Sequence, residues 1–498
     1  MSLLGVDLGS SQCKVVAVSA SGEILAVSTR RYTPVSPGHA MLELDPNIFW
    51  QATSEAIREV AGQIAEPVVA LAVGSHGETI IPVDGHGDAV GPAILNADNR
   101  AIDEAGWFER QMGREHIYRI TGAVAHPMYA VPKICWLRKH NPDMYAAASG
   151  FVSAADYILI RMGLSRYTDY SLASRMMAFD VHSRGWSEEI LDMAELSKEQ
   201  FSEPVQAGTI AGKLSRTAAA ELGLDAGTIV ALAGHDQPCG ALGTGAIGPG
   251  MVADSAGTYE CLAVTSDEPR LSDLSLASSL NSYCHVVSGK YITLSFFPAG
   301  IMTRWFMDKL ASHEAQSALE SGEDIYACFD RKSPENPSGL IITPHLIGSC
   351  NPYWNPNARG VITGLTLQTD LYSIYKGIQE GICSEFAVNA KVLSQVSGEF
   401  DTVRITGGGA RSSFGLRLRA SLSGLSMLTL RNPEAVCLGG AMLAGIASGI
   451  FSDPDDAIHH LVHIADTVLP DSSLMARYSN QLENYDKVYA ALAPTNEI

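Results

Sequence analysis

The chain has 498 residues, of which 46% are hydrophobic and 18% are charged, a composition typical of a soluble globular enzyme. This length exceeds what one hydrophobic core supports, so we expect two or three domains. Its 34 basic and 54 acidic residues give a formal net charge of −20, which disfavours nucleic acids and anionic membranes as partners because both would be repelled.

The sequence shows no pattern that predicts export or a membrane span. No apolar run reaches the roughly 18 residues of a transmembrane helix, and no basic segment followed by an apolar stretch opens the chain. The nine cysteines are an odd number and include no Cys-x-x-Cys pair, which is typical of reduced core residues rather than of disulfides or a zinc site. We therefore expect a cytoplasmic protein.

The first half of the chain alternates strand and helix signals. One amphipathic helix begins at Asp45-Pro46, where the aspartate suits the capping position and the proline suits the first helical position. The predicted elements of this half are strands at 2–8, 13–19, 23–29, 68–74 and 229–233, and helices at 46–64, 129–140, 156–162, 187–196 and 216–222.

The same alternation starts again after Gly243. The predicted elements of the second half are strands at 251–254, 259–264, 291–295 and 402–406, and helices at 300–310, 371–395, 412–423 and 435–448. The two halves meet near residues 240–252. We therefore predict an α/β protein of two domains, at 1–244 and 245–498.

Two short stretches, at 7–11 and at 254–258, read alike and open the two halves. Each consists of an aspartate followed by small hydroxyl and glycine residues between two apolar strands. Such a turn exposes backbone N–H groups and hydroxyls at its tip, which suits phosphate oxygens. The pair predicts a nucleotide held between two related halves.

Two aspartates, one in the first of these segments and one before the second, have side chains suited to catalysis or metal binding. Asp7 is suited to hold Mg²⁺, which prefers oxygen ligands and keeps part of its water shell. Asp236 follows the strand at 229–233 and is suited to accept a proton from a substrate hydroxyl. The competing interpretations are a hairpin with a polar tip for Asp7 and a helix N-cap for Asp236.

Two further patterns bear on the ligand. His76 and Glu78 follow a strand and could bond the hydroxyls of a polar substrate. Residues 407–412 follow a strand with three glycines and open a helix, which suits a phosphate or a flat ring. A dinucleotide site would use the same arrangement, but the acidic residue expected about 20 positions on is absent. That absence counts against an NAD-linked oxidoreductase.

Taken in order, these motifs resemble the FGGY family of carbohydrate kinases, which have the actin-like ATPase (ribonuclease H-like) fold. The resembling segments are residues 7–14, 128–137, 168–179, 234–237, 254–258, 299–306, 351–366, 407–413 and 434–445. The chain departs from the family's signatures at Ala130, Ser373 and Gly377. Each motif is weak alone, and the ordered set is specific.

The resemblance implies two actin-like domains that close on ATP, Mg²⁺ and a sugar or polyol. It implies that Asp236 is the general base and that Asp7 holds the metal. The implied nucleotide-binding residues are Ser10, Ser11, Gln12, Lys14, Gly257, Thr258, Gly300, Arg304, Gly408, Gly409 and Ser413. The implied substrate-binding residues are His76, Gly77, Glu78, Met128, Asp236 and Gln237.

The resemblance restricts the substrate only in part. Glycerol kinases usually have Arg-Glu where this chain has Gly77-Glu78, and they usually have Tyr where it has Met128. Xylulokinases usually have Met-His in place of Gly77-Glu78. A carboxylate at Glu78 would disfavour an acidic sugar by repulsion. We therefore expect a small neutral ketose or polyol, with the oligomeric state open and a homodimer among the possibilities. The alternative is a non-catalytic, nucleotide-dependent sugar-binding regulator of the same fold.

Overall fold

The computed structural model describes residues 1–492 and shows two halves, each built on a mixed sheet with helices on both faces. The strands of the first half are β1 (Ser2–Leu8), β2 (Gln12–Ser19), β3 (Ile24–Arg31), β4 (Glu43–Leu44), β5 (Val68–Ser75), β6 (Ile81–Val83), β7 (Ala93–Ile94), β8 (Gly150–Val152), β9 (Tyr167–Asp169), β10 (Phe179–Asp180), β11 (Gly185–Trp186), β12 (Glu203–Val205), β13 (Ile210–Lys213) and β14 (Ile229–His235). Its helices are α1 (Pro46–Gln63), α2 (Ile102–Met112), α3 (Arg114–Thr121), α4 (Ala130–His140), α5 (Pro142–Ala147), α6 (Ala154–Arg161), α7 (Tyr170–Ala173), α8 (Glu188–Ala194), α9 (Arg216–Leu222) and α10 (Asp236–Thr244).

The second half repeats this plan. Its strands are β15 (Val252–Ala256), β16 (Tyr259–Ser266), β17 (Asn281–Cys284), β18 (Tyr291–Pro298), β19 (Ile341–Thr343), β20 (Val361–Thr363), β21 (Thr402–Gly407), β22 (Ser426–Leu430) and β23 (Ile464–Val468). Its helices are α11 (Asp273–Ala277), α12 (Gly300–Lys309), α13 (Ser312–Ser321), α14 (Ile325–Lys332), α15 (Leu371–Ser397), α16 (Ser413–Ser423), α17 (Ala435–Ala447), α18 (Pro454–Leu461), α19 (Ser472–Arg477) and α20 (Gln481–Leu492). Short 3₁₀ turns lie at Ser174–Met176, Lys198–Gln200 and Gly408–Arg411.

The two large sheets have the same strand order over six strands, and the second sheet has one more strand, β17, at its edge. The first runs β13-β14-β5-β1-β2-β3 and the second runs β17-β18-β16-β15-β21-β22-β23. In each, an antiparallel hairpin (β1–β2 or β15–β16) continues into parallel strands, β5 and β14 in one half and β21 and β22 in the other. The carboxyl ends of the parallel strands therefore meet the hairpin tip at the same edge of each sheet.

Two helices lie between the sheets and bring these edges together. Helix α10 belongs to the first half and contacts β15 and β16, and helix α17 of the second half packs on β1, β5 and β14. Strand β1 and helix α17 approach each other so closely that position 5 must be glycine, because a Cβ on Gly5 would lie 1.7 Å from the Cys437 carbonyl oxygen. The predicted boundary after residue 244 falls at the end of α10 and assigns α17 to the second half, although α17 covers the first sheet.

Among the described residues, no helix is both long enough and apolar enough to cross a membrane. The helices and strands match the predicted ones closely. The long helix at 371–397 and the strand at 402–407 extend the predicted elements by one or two residues. Between residues 81 and 213 the structure contains many short strands and helices, and several of them, such as β6, β7 and β8, were not predicted.

Candidate active site

A cavity of about 250 Å³ opens where the two halves meet. Its walls come from both sheets and from the helices between them. The lining residues include Asp7, Gln12, Lys14, Asp236 and Gln237 of the first half and Ser255, Thr406, Gly407 and Glu434 of the second. Five of the residues predicted for the metal, the nucleotide and the substrate are thus brought together by the fold.

Asp236 is the first residue of α10, directly after β14. Its side chain is 24% exposed, yet Oδ1 is buried and has no hydrogen-bond partner among the described residues. Burial raises the pKa of Asp236 to about 8, with the charges of Asp7 and Glu78 adding to the effect and Arg175 opposing it. A carboxyl group of this kind is suited to exchange a proton near neutral pH.

Asp7 lies opposite Lys14 in the β1–β2 hairpin. Burial raises the pKa of Asp7 to about 6, while Lys14 lowers it and Glu434 raises it. The Lys14 ammonium lies 2.5 Å from the Glu434 carboxylate, which comes from the residue before α17. A phosphate group entering here would share the lysine with Glu434 or displace that carboxylate.

The hydroxyl groups at both hairpin tips make no hydrogen bonds to other described residues. In the first tip the Gly9 N–H donates to the Gln12 carbonyl at 2.8 Å, which leaves Ser10 and Ser11 at the end of the turn. In the second tip Gly257 and Thr258 are exposed. None of these three hydroxyls has a hydrogen bond to another described residue, so they remain available as donors.

Gly300, the first residue of α12, packs against the second hairpin tip. Its N–H donates to the Gly257 carbonyl at 3.1 Å, and a Cβ at this position would lie 2.6 Å from the same oxygen. Only glycine permits that approach. The tip and the start of α12 therefore form one cradle of backbone, which suits a polyphosphate or a ribose.

Asp7 and Asp254 occupy different structural positions, although the sequences around them are alike. Asp7 lies on the face of its sheet that meets α17, whereas Asp254 shares a face with Val252 and Ala256, which pack on the outer helices. Two residues lie between Asp254 and Gly257, but only one lies between Asp7 and Gly9, and a shift of one residue moves a side chain to the opposite face. Ser255 is therefore the structural counterpart of Asp7.

Asp254 instead belongs to a buried charged cluster. Both of its carboxylate oxygens are buried without a hydrogen-bond partner among the described residues. Burial and the neighbouring Glu260 raise its pKa well above the usual range, although Arg419 opposes the shift. Arg419 binds both oxygens of Glu260, at 3.0 and 2.8 Å.

The turn after β5 carries His76, Gly77 and Glu78. Both ring nitrogens of His76 are bonded to protein atoms, Nδ1 to the Leu8 carbonyl at 2.8 Å and Nε2 to the Thr79 hydroxyl at 2.6 Å. Burial lowers the pKa of His76, so its ring is neutral. A bond from His76 to a substrate hydroxyl, as predicted, would require one of these two bonds to break. In this structure the two bonds hold the His76 ring against the turn after β5.

Glu78 is paired with a buried arginine. The Arg175 Nε donates to Glu78 Oε1 at 2.6 Å, and the guanidinium lies over the rings of Tyr283 and Tyr129, 4.8 and 5.1 Å from their centroids. Its Nη1 is buried without a partner among the described residues. Gly77 makes room for this arrangement, because a Cβ there would lie 2.7 Å from Cγ of Arg175.

The backbone at Glu78 is held in the left-handed region, with φ of 61°. The Lys133 ammonium donates to the Glu78 carbonyl at 2.9 Å and to the Leu95 carbonyl at 2.7 Å. Burial lowers the pKa of Lys133 to about 7, with the charges of Asp98 and Glu78 opposing the shift. Strained backbone of this kind persists only where surrounding contacts determine it, and it is often found at functional sites.

The remaining predicted residues lie farther from the cavity walls. Met128 packs against the apolar cluster beneath α4. Gly408 and Gly409 form the 3₁₀ turn after β21, and Arg304 on α12 is exposed. Ser413 lines a second cavity, of about 470 Å³, together with Lys376 and Arg417.

Sequence reasoning did not assign roles to three residues that the fold brings close to the candidate base Asp236. They are Arg175, His235 and Tyr283. Arg175 and His235 lie inside segments that resemble the family's motifs. The position of His235 directly before Asp236 could have indicated that it contacts the candidate base. Tyr283 lies in β17 of the second half and has no local pattern that marks it.

Comparisons with known proteins agree with this architecture. Residues 2–243 match the description "FGGY family of carbohydrate kinases, N-terminal domain", and residues 252–448 match the corresponding C-terminal domain. The chain is 28% identical to the xylulose kinase of Escherichia coli (strain K12), over 99% of each chain. It is 25% identical to the gluconokinase of Bacillus subtilis (strain 168), over 92% of this chain and 90% of that one.

The fold also matches solved structures. A ligand-bound xylulose kinase from Lactobacillus acidophilus superposes with a TM-score of 0.89 at 23% identity, covering 99% of this chain and 98% of that one. A xylulose kinase from Rhodospirillum rubrum gives a TM-score of 0.88 at the same identity. The predicted two-domain, actin-like α/β fold is confirmed.

Proposed function

This chain belongs to the FGGY family of carbohydrate kinases, and we propose that it transfers the γ-phosphate of ATP to a hydroxyl of a small neutral ketose or polyol. The observation that carries the proposal is the cavity at the meeting of the two halves. Asp236 and Asp7 both line that cavity, and the phosphate-type hairpins β1–β2 and β15–β16 border it.

In the proposed reaction Asp236 accepts the proton of the substrate hydroxyl. The freed oxygen attacks the γ-phosphorus, an oxygen–phosphorus bond forms, and the bond from phosphorus to the bridging β-oxygen breaks, so that ADP leaves. Positioning and charge neutralisation are most of what this chemistry needs. Lys14, Ser10, Ser11 and Thr258 are the donors that we assign to the phosphate oxygens.

A magnesium ion fits the donor set around Asp7. Mg²⁺ is often bound by one or two carboxylates, with water and substrate phosphates completing the shell. In the described part of the chain no group of three or more His, Cys, Asp or Glu residues is arranged for a metal, so a site at Asp7 would be of this open kind. When bound, the ion would neutralise negative charge on the phosphates.

The ion pair of Glu78 with Arg175 weakens the repulsion that Glu78 would exert on an acidic sugar. Glu78 was expected to repel an acidic sugar, but its charge is balanced by a guanidinium 2.6 Å away. Repulsion by Glu78 alone therefore does not exclude sugar acids. We propose a neutral substrate because Asp7, and Asp236 in the deprotonated form that accepts a proton, place further negative charge near the reacting end.

A coupled assay of ADP formation tests the proposal. Pentuloses, hexuloses, tetritols, pentitols and gluconate are each added to the protein with Mg-ATP. We expect one neutral ketose or polyol to stimulate ADP release above the ATP-only rate. Stimulation by gluconate alone would contradict the substrate class. A sugar that raises the melting temperature together with ATP, without any ADP release, would favour the non-catalytic regulator.

The rate should depend on pH through Asp236. The base must be deprotonated to accept a proton, and its pKa lies at about 8 in the ligand-free protein. We therefore expect kcat/KM, with both substrates well below saturation, to rise with pH and to level off above that pKa. Below it, the rate should fall about tenfold for each pH unit. A flat profile from pH 6 to 9 would contradict the assignment of the base.

A further inference from the structure

His235 connects the candidate base to a tyrosine of the other half. Its Nε2 lies 3.1 Å from Asp236 Oδ1, and its Nδ1 lies 2.9 Å from the Tyr283 hydroxyl. The histidine is 5% exposed and the tyrosine 1% exposed. His235 ends β14 of the first half, whereas Tyr283 belongs to β17 of the second.

The surroundings favour one tautomer of His235. Burial, the charge of Arg175 and the neighbouring His76 lower the pKa of His235 well below its usual range, so the ring is neutral. A neutral imidazole carries one N–H and one acceptor nitrogen. The phenolic O–H of Tyr283 has no other acceptor among the described residues, so it donates to Nδ1, and the ring proton is then on Nε2, facing Asp236.

Nε2 lies within hydrogen-bond distance of Asp236 Oδ1, but the two atoms do not meet hydrogen-bond geometry in this ligand-free structure. Catalytic hydrogen bonds are often misaligned in ligand-free structures and become aligned in the substrate complex. Oδ1 is buried while the side chain as a whole remains partly exposed. Oδ2 is therefore the oxygen that is free to meet a substrate.

We propose that Tyr283 and His235 are positioning residues that orient Asp236: Tyr283 fixes the tautomer of His235, and the Nε2–H group holds Oδ1 so that Oδ2 faces the substrate hydroxyl. Because Tyr283 comes from the second half, the base is fully oriented only when the two halves are in the arrangement seen here. This inference rests on the proposed kinase function.

Replacing Tyr283 by phenylalanine tests the proposal. Y283F removes the donor to Nδ1 and leaves the ring, so we expect kcat to fall about tenfold, a part of the roughly 10²- to 10⁴-fold that a positioned base contributes, with KM for ATP unchanged. Y118F is the matched control, because the buried Tyr118 hydroxyl also joins the two halves, donating to the Leu280 carbonyl at 2.9 Å. We expect Y118F to keep the wild-type kcat. Equal losses in both variants would overturn the proposal.

Two substitutions of His235 give a second readout. H235Q keeps an amide N–H near the position of Nε2, whereas H235N keeps one near Nδ1 only. We expect H235Q to retain more of kcat than H235N at similar melting temperatures. The reverse order, or equal rates, would overturn the proposal.

A spectroscopic measurement separates this proposal from the kinase function itself. In protein labelled with ¹⁵N-histidine, the signals absent from H235N identify His235, and their pattern reports its tautomer. We expect the Nε2–H form in the wild type and in Y118F, and a mixture of tautomers in Y283F. An Nδ1–H form in the wild type would overturn the proposal even if the protein is a kinase. Failure of every sugar to release ADP would instead reject the proposed function.

Discussion

Replacing Asp236 by asparagine is expected to lower kcat for sugar phosphorylation by about 10³-fold, within the range that general bases contribute. Asparagine has nearly the same shape as aspartate but cannot accept the proton of the substrate hydroxyl. The hairpins that we assign to the phosphates are untouched by this change, so the affinity for Mg-ATP should stay close to the wild-type value. Steady-state kinetics and nucleotide titration measure the two quantities separately.

The matched control for this variant is Asp254→Asn. Asp254 also lines the cavity, but both of its carboxylate oxygens are buried with no hydrogen-bond partner in the described part of the chain, and its side chain shares a sheet face with the core residues Val252 and Ala256. We expect D254N to keep kcat within about threefold of the wild type, since buried oxygens cannot accept a proton from a substrate hydroxyl in the cavity. Equal losses in D236N and D254N would show that the effect is general and would reject Asp236 as the base.

The second large effect is expected at Arg175. Arg175→Met removes the partner of Glu78 and leaves a buried carboxylate without a countercharge, since both side chains are at most 5% exposed. Breaking a buried ion pair from one side typically costs about 3–5 kcal/mol. We expect a loss of this size in the free energy of unfolding, measured by chemical denaturation, together with loss of sugar-stimulated ADP release.

The double variant Glu78→Gln/Arg175→Met distinguishes the two effects. Because neither charge remains, much of the lost stability should return, and the two single changes should not be additive. Activity should stay low, because the substrate side of the site would lack both groups. Full recovery of activity in the double variant would show that the pair serves stability alone.

The fold could largely be predicted from the sequence because its signals are local. The cap and proline at Asp45-Pro46 predict the start of α1, and the structure confirms it, with Asp45 accepting from the Asn47 N–H. The repeated hairpin and strand pattern predicts two similar halves, and the shared strand order of the two sheets agrees. Hydrophobic periodicity and turn residues act over a few positions, so one chain is enough to read them.

The details of the site depend on distant contacts that no local pattern encodes. Arg175 and Glu78 are 97 residues apart along the chain, and Tyr283 reaches His235 from the other half. Gly77 is among the substrate-binding residues that the family resemblance implies, whereas the structure shows that its lack of a side chain leaves room for Arg175. The likeness of the segments at 7–11 and 254–258 also gave no sign of the one-residue offset that places Ser255, and not Asp254, in the position of Asp7.

The most direct test of the account is a structure of the protein with Mg²⁺ and a non-hydrolysable ATP analogue. We predict that the triphosphate lies between the hairpin tips at Ser10–Ser11 and Gly257–Thr258, with its terminal phosphate on the side of Asp236. A triphosphate bound away from both tips, for example in the cavity beside Ser413, would contradict it.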